Sequence, residues 1–233
     1  PESRRALRMA ILMMAIVAPL QVVGGHESGV VAHERQPAKV AAMEGWWDRQ
    51  AGQPTLLFGW PGEENEATHA GHRRPGMGSW FVAGDAGAEL DGLKAFPKEE
   101  RPPVWITFWA FRVMVGMGLI MVALGLWGAA LWLLRRVDGA GLYHRALVLA
   151  APSGFVAVLA GWIAAEVGRQ PWVVHGVLRT ADAVAPVPAG SVALSLLFFM
   201  VVYAIVFTAG ALYILRLMAK GPETEEPPPR DAS

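Results

Sequence analysis

The side chains most able to do chemistry in this sequence cluster in three short stretches. Glu166 lies near the end of an apolar run, GWIAAEVGRQPW, with Trp162 four residues before it and Arg169 three after. On a helix long enough to reach Arg169, all three would share one face. Two readings are open for Glu166: an interfacial ion pair with Arg169, worth about 0–1 kcal/mol if exposed, or a buried carboxylate balanced by a metal or a guanidinium. Arg112 and Met114 fall in TFWAFRVMVGMG. Arg112 either snorkels to an interface or is a functional charge inside a span. Met114 is either packing or a thioether ligand to iron. Two residues apart on a helix means roughly 200° of rotation, so the two side chains cannot point at one atom. Gln36, Lys39 and Glu44 share the stretch QPAKVAAMEGWWDRQ, whose spacing suits one short amphipathic helix with a solvated face.

Other chemistries are excluded or lack a pattern. Cysteine is absent, so thiolate zinc sites, iron–sulfur clusters and disulfides are ruled out. A metal or haem would have to be held by His, Met, Glu, Asp or Tyr. His26, His33, His69 and His72 match no ligand spacing and read as exposed loop residues. His144 reads as an interface residue, and His175 has no partner visible in the sequence. There is no GxSxG, P-loop or dinucleotide fingerprint. Twenty basic residues balance twenty acidic ones, which excludes a strongly basic nucleic-acid binder.

The elements that must position these residues are membrane spans. Residues AVILMFWYC make up 54% of the 233-residue chain and charged residues only 17%, against a usual ~25% charged. A bilayer core of ~30 Å needs about 20 apolar residues in a helix. Four stretches qualify: about Ala6–Val23, a span within Val104–Leu134, about Ala146–Glu166 and about Ser191–Leu215. The alternative for the first, a cleaved signal peptide, lacks an obvious small-residue cleavage site. Nine Lys/Arg in the N-terminal flank, the loop between spans two and three, and the C-terminal flank oppose only Arg169 and Arg179 in the loop between spans three and four. The positive-inside rule then puts both termini in the cytoplasm. The expected fold is all-α, an integral membrane helical bundle of four transmembrane helices with a large extracytoplasmic loop. Its expected divisions are 1–25, the first span; 26–103, the outer loop, without a long apolar run to build its own core; 104–217, three spans carrying the ionisable groups; and 218–233, a disordered acidic tail.

Three stretches together resemble subunit I of cytochrome bd quinol oxidase: GRQPW at 168–172, FWAFRVMVG at 108–116, and QPAKVAAMEG at 36–45, in the family's order. The resemblance implies a bacterial inner-membrane terminal oxidase. It takes electrons from quinol at the outer face and passes them through low-spin and high-spin haem b to haem d, where dioxygen is reduced to water. By position, Met114 matches the ligand of the low-spin haem and Arg112 an arginine beside it. Glu166 matches the ligand of a high-spin haem, with Trp162 and Arg169 at the same site. Gln36, Lys39 and Glu44 match the quinol-binding residues. Implied partners are subunit II, a small accessory subunit and the lipid membrane, with no nucleic acid.

The family's subunit has nine membrane helices, and the four here correspond to its sixth to ninth. Residue 1 is Pro rather than Met. The expectation is therefore a truncated or split subunit, missing N-terminal helices that carry the His ligands. The alternatives are a non-catalytic membrane fragment that binds no complete haem set and, if the three stretches are coincidental, a transporter or receptor anchor.

Overall fold

The computed structural model describes residues 2–220, and the side chains of all of these except Glu2, Ala70 and Gly71. Four helices are long and apolar enough to cross a membrane, within Ser3–Arg35, Lys98–Leu133, Gly141–Val167 and Ala189–Lys220. The chain is an integral membrane helical protein, as its composition requires. The acidic tail from residue 221 onward lies outside the described residues.

Helix α1 runs Glu2–Arg35, continuing through Pro19 and well past the expected end near Val23. It stops where Gln36, restricted by the following Pro37, turns out of helical geometry at φ −143°. Helix α2, Pro37–Glu44, follows at once, with Pro at its first turn and Gly45 closing it in the left-handed region at φ 73°. Helix α4, Val104–Leu133, is one unbroken span. The expected third span is two helices, α5 (Gly141–Ala150) and α6 (Ser153–Val167). Pro152 sits at the break, where a missing N–H and a bulky ring end a helix.

The outer loop departs most from expectation, because it does have a core. Val40, Ala41, Ala42, Trp46, Trp47, Leu90, Leu93 and Val104 form one buried cluster. Both indoles are satisfied: Trp46 Nε1 donates to Pro54 O at 2.7 Å and Trp47 Nε1 to Thr68 Oγ1 at 2.8 Å. Strands β2 (Thr55–Gly62) and β3 (Ala67–Arg74) form an antiparallel hairpin. A short pair joins β1 (Gln50–Ala51) to β4 (Glu89–Leu90), and α3 spans Met77–Ala83. A third pair, β5 (Trp172–Val174) with β6 (Leu178–Arg179), follows α6. The all-α expectation thus holds for the spans, and the loops add three small sheets.

The hairpin is fastened to α4. Glu63 accepts from the backbone N–H of Val104 at 2.7 Å, capping a helix whose own N-cap is Pro103. Glu66 pairs with Arg101 at 2.8 Å and Lys98 at 3.3 Å, contacts that hold its carboxyl below the ordinary range. In the membrane core α1 lies against α4 at Gly125, where a Cβ would come within 2.9 Å of the Met14 backbone. Ile11, Leu124, Val137 and Tyr143 form a buried cluster at this same seam, with Met14 packed against it.

Helix α7, Ala189–Lys220, falls in a separate compact unit, Val184–Ser233. It reaches five residues beyond the expected Leu215, and none of its residues is buried.

Candidate functional site

The site residues gather in two clusters at the two ends of α2. The first centres on Arg112, on the third turn of α4 counted from its start at Val104. Its guanidinium does not snorkel; its side chain is only 10% exposed. Nε and Nη2 donate to Leu56 O at 3.0 and 2.6 Å, and Nη1 donates to Met43 O and to Phe108 O at 3.1 Å. The plane lies 3.3 Å from the centroid of the Phe108 ring. Arg112 therefore stitches α4 to the end of α2 and to β2 in one contact, a use of the planar fork that lysine cannot match.

Glu44 sits 3.7 Å from Arg112 Nη2, and its side chain is 14% exposed. One carboxyl oxygen, Oε2, is buried without a hydrogen bond. Burial pushes this carboxyl up to about 6, with Arg112 and the Leu56 backbone holding it partly down. An acid poised near neutrality with a free acceptor oxygen is suited to proton transfer.

The second cluster is the C-terminal end of α6. A helix end leaves four carbonyls without partners, and here each is met. Gly168 N donates to Ala164 O and Gln170 N to Val167 O, both at 3.1 Å. Gln170 Nε2 reaches Glu166 O at 3.4 Å. The fourth donor comes from far away in the chain: Lys39 Nζ, on α2, donates to Ala165 O at 3.1 Å. Its stem runs over Gly168, where a Cβ would lie 3.3 Å from Lys39 Cγ and 3.0 Å from Thr107 Cγ2. Lys39 is thus no solvated helix-face residue. Partial burial and the nearby Arg169 lower its pKa, and Glu166 opposes them.

Glu166 and Arg169 form an ion pair, although α6 ends at Val167 and Arg169 lies in the following turn. The turn is braced by Thr180 Oγ1 donating to Gln170 Oε1 at 2.7 Å, and by Arg179, which pairs with Glu100 at 3.1 Å and lies over Trp172. Arg169 Nε and Trp172 Nε1 are buried donors without acceptors. Gln36 joins Lys39, Arg169, Trp172 and His175 around a crevice of about 10 Å³, no larger than one water.

The sequence-selected residues thus divide. Gln36 and Lys39 join Glu166 and Arg169; Glu44 joins Arg112. Trp162 is 64% exposed, and no hydrogen bond or ring contact ties it to either cluster among the described residues. Met114 diverges from Arg112 as helical geometry demands: it points at α6, where a Cβ on Gly161 would lie 2.8 Å from its Sδ.

Sequence reasoning missed Met43, Leu56 and the bracing pair Glu100–Arg179. Backbone acceptors and cross-loop pairs leave no sequence signal. The histidine readings also change. His26 and His33 lie on α1, and His69 and His72 on β3, rather than in loops; His33 is part-buried with Nδ1 lacking a partner, and His175 packs edge-on against Trp172. No group of three or more His, Asp or Glu poised around one metal occurs among the described residues.

Fold and clusters together define a multi-pass helical membrane protein whose charged groups meet where a large loop joins its spans. Its relatives narrow this further. The chain belongs to the family of cytochrome bd terminal oxidase subunit I, whose model matches residues 2–222. It is 33% identical over 238 residues to a cytochrome bd ubiquinol oxidase subunit 1 of Bacillus subtilis, covering 96% of this chain and 50% of the relative. It is 31% identical over 227 residues to a putative cytochrome bd menaquinol oxidase subunit I of the same organism, with the same coverage. Among solved structures it matches the bd oxidase from Geobacillus thermodenitrificans, with a TM-score of 0.75 and 31% identity over 91% of this chain and 49% of that one. The chain spans about half the length of these relatives.

Proposed function

We propose that the chain is the quinol-facing, C-terminal part of a terminal oxidase subunit, oxidising quinol at the outer membrane face and serving dioxygen reduction to water. It would act with the preceding helices of subunit I, with subunit II and with a small accessory subunit, in a bacterial inner membrane with both termini cytoplasmic. The observation that carries the reading is Lys39 bonded to the last turn of α6 beside Glu166 and Arg169. It joins the loop stretch matched to quinol binding directly to the helix end matched to an iron ligand.

The residues present fit part of a haem set. Glu166 offers a hard carboxylate oxygen and Met114 a thioether, donors suited to high-spin and low-spin iron respectively. Buried Arg169 Nε and Trp172 Nε1, both lacking acceptors, suit the carboxylates of a haem edge. Haem b and haem d, when bound, would supply electron transfer and oxygen reduction. The protein's own part is positioning and proton handling. Glu44, with its carboxyl near 6 and an open acceptor oxygen, takes a proton from a quinol hydroxyl. Lys39 and Gln36 orient the head group, and the 10 Å³ crevice requires the ring to bind at its rim or to open it. Arg112 holds Glu44 and the loop against α4.

Redox-difference absorbance spectra of membranes carrying this chain with the remaining helices and subunit II test the proposal. Glu166→Ala should remove a high-spin haem band, and Met114→Leu should alter the low-spin band at little expense in packing. Unchanged bands in both variants would refute the ligand assignments. A complete absence of haem bands would favour the non-catalytic fragment.

A further inference from the structure

The basic end of the α1–α4 seam, remote from both clusters, carries a cleft of about 660 Å³ lined by Arg8, Trp132, Leu133, Arg135, Val137 and Asp138. That volume lies in the ~300–1,000 Å³ range of small-ligand sites. Its charge is one-sided. Asp138, the acidic group in the lining, is engaged by Arg4 at 3.5 Å. Neither Arg8 nor Arg135 has an acidic partner among the described residues. Arg135 stands in the left-handed region at φ 56°, an uncommon conformation for a residue with a Cβ, immediately after α4 ends. Around these cations the surface is apolar: Leu133 is 86% exposed, Leu134 65% and Trp132 38%. Two unpaired guanidiniums beside an interfacial indole and bare leucines, at the end of two spans, match a ligand with an anionic head and hydrocarbon tails.

We propose that this cleft seats an anionic phospholipid. Arg8 and Arg135 bind its phosphodiester, Trp132 packs at the glycerol level, and Leu133 and Leu134 meet the acyl chains. A free phosphate would use the two arginines and leave the apolar rim unused, so the lipid is the occupant that accounts for the whole surface. The proposal depends on the chain spanning a membrane, and it requires neither quinol nor haem binding by the chain.

The test is electron spin resonance of the purified assembly in phosphatidylcholine nanodiscs containing spin-labelled phosphatidylglycerol or spin-labelled phosphatidylcholine. The wild type should immobilise phosphatidylglycerol selectively. Arg8→Gln with Arg135→Asn, the asparagine chosen because it tolerates positive φ, should lower that selectivity about thirtyfold, given ~1 kcal/mol per basic residue near the surface. Should the double variant fail to assemble, Arg8→Gln alone, at an exposed helical position, should give part of the same loss. Arg5→Gln with Arg145→Gln, outside the cleft, should leave selectivity intact. No selectivity in the wild type, equal loss in the Arg5/Arg145 control, or retention in the Arg8 variants would each overturn the proposal. Displacement of the labelled lipid by millimolar inorganic phosphate would also overturn it, by showing a simple anion site.

Discussion

Replacing Arg112 by Leu should detach the outer loop from α4 without disturbing the spans. The variant strands the carbonyls of Met43 and Leu56, which take three of the four hydrogen bonds from Arg112. A buried acceptor left unsatisfied costs about 1–3 kcal/mol. Removing one partner of a buried ion pair typically costs about 3–5 kcal/mol. The Glu44 carboxyl, already near 6, escapes most of that second penalty by taking up a proton once its counter-charge is gone. The sum is then on the order of 3 kcal/mol, near the value for two stranded carbonyls. At 1.36 kcal/mol per decade this is about a 100-fold rise in local opening. Arg112→Lys keeps a charge but lacks the fork, and should sit between, at about tenfold. Hydrogen exchange followed by mass spectrometry in nanodiscs reads this directly on peptides covering 37–44 and 55–62, with 153–167 in α6 as the internal reference. Exchange faster by less than threefold in the first two peptides, or accelerated equally in α6, would refute the clamp.

Three further outcomes are expected. Because the Glu44 carboxyl is raised from 4.5 to about 6 in the fold, its contribution is fully present below pH 4.5 and lost as pH rises through 6. That amounts to about 2 kcal/mol, so Glu44→Gln should flatten the loop's stability between pH 4.5 and 7 relative to wild type, as read by the same exchange method. Lys39→Met keeps the stem over Gly168 but leaves Ala165 O without its donor. It should loosen the end of α6 by about 1 kcal/mol and lower quinol oxidation, and an unchanged exchange rate there would argue against the capping role. Gly161→Ala displaces the Met114 thioether. Thermal stability should change by less than about 1 kcal/mol, since methionine repacks easily, while the low-spin haem band shifts; a constant band would count against Met114 as ligand.

Much of this architecture was legible in the sequence because a bilayer imposes a length and polarity rule that local pattern obeys. The spans around Arg112, Glu166 and Tyr203 all fall where apolar runs predict. The finer boundaries were not legible. Nothing local marks α1 as continuing to Arg35, since Gly24 and Gly25 look like a stop; its far end is held by Ala32 packing on the loop core. The loop core escaped because it is built from Trp46, Trp47, Leu90 and Leu93, spaced too widely to show a period. At the site, side-chain types identified Glu166, Arg169, Arg112 and Lys39, but not their grouping. Gln36, Lys39 and Glu44 look like one helical face, yet Lys39 and Glu44 serve opposite ends of α2, about 7.5 Å apart along the axis.

The bond from Lys39 to Ala165 also bears on biogenesis. The donor is translated 126 residues before its acceptor, so it is synthesised while α6 does not yet exist. Until α6 is inserted and α2 has docked on it, that helix ends with a bare carbonyl, and the ammonium of Lys39 stays in water. The contact therefore closes only when the early loop and the late span have both reached their final places.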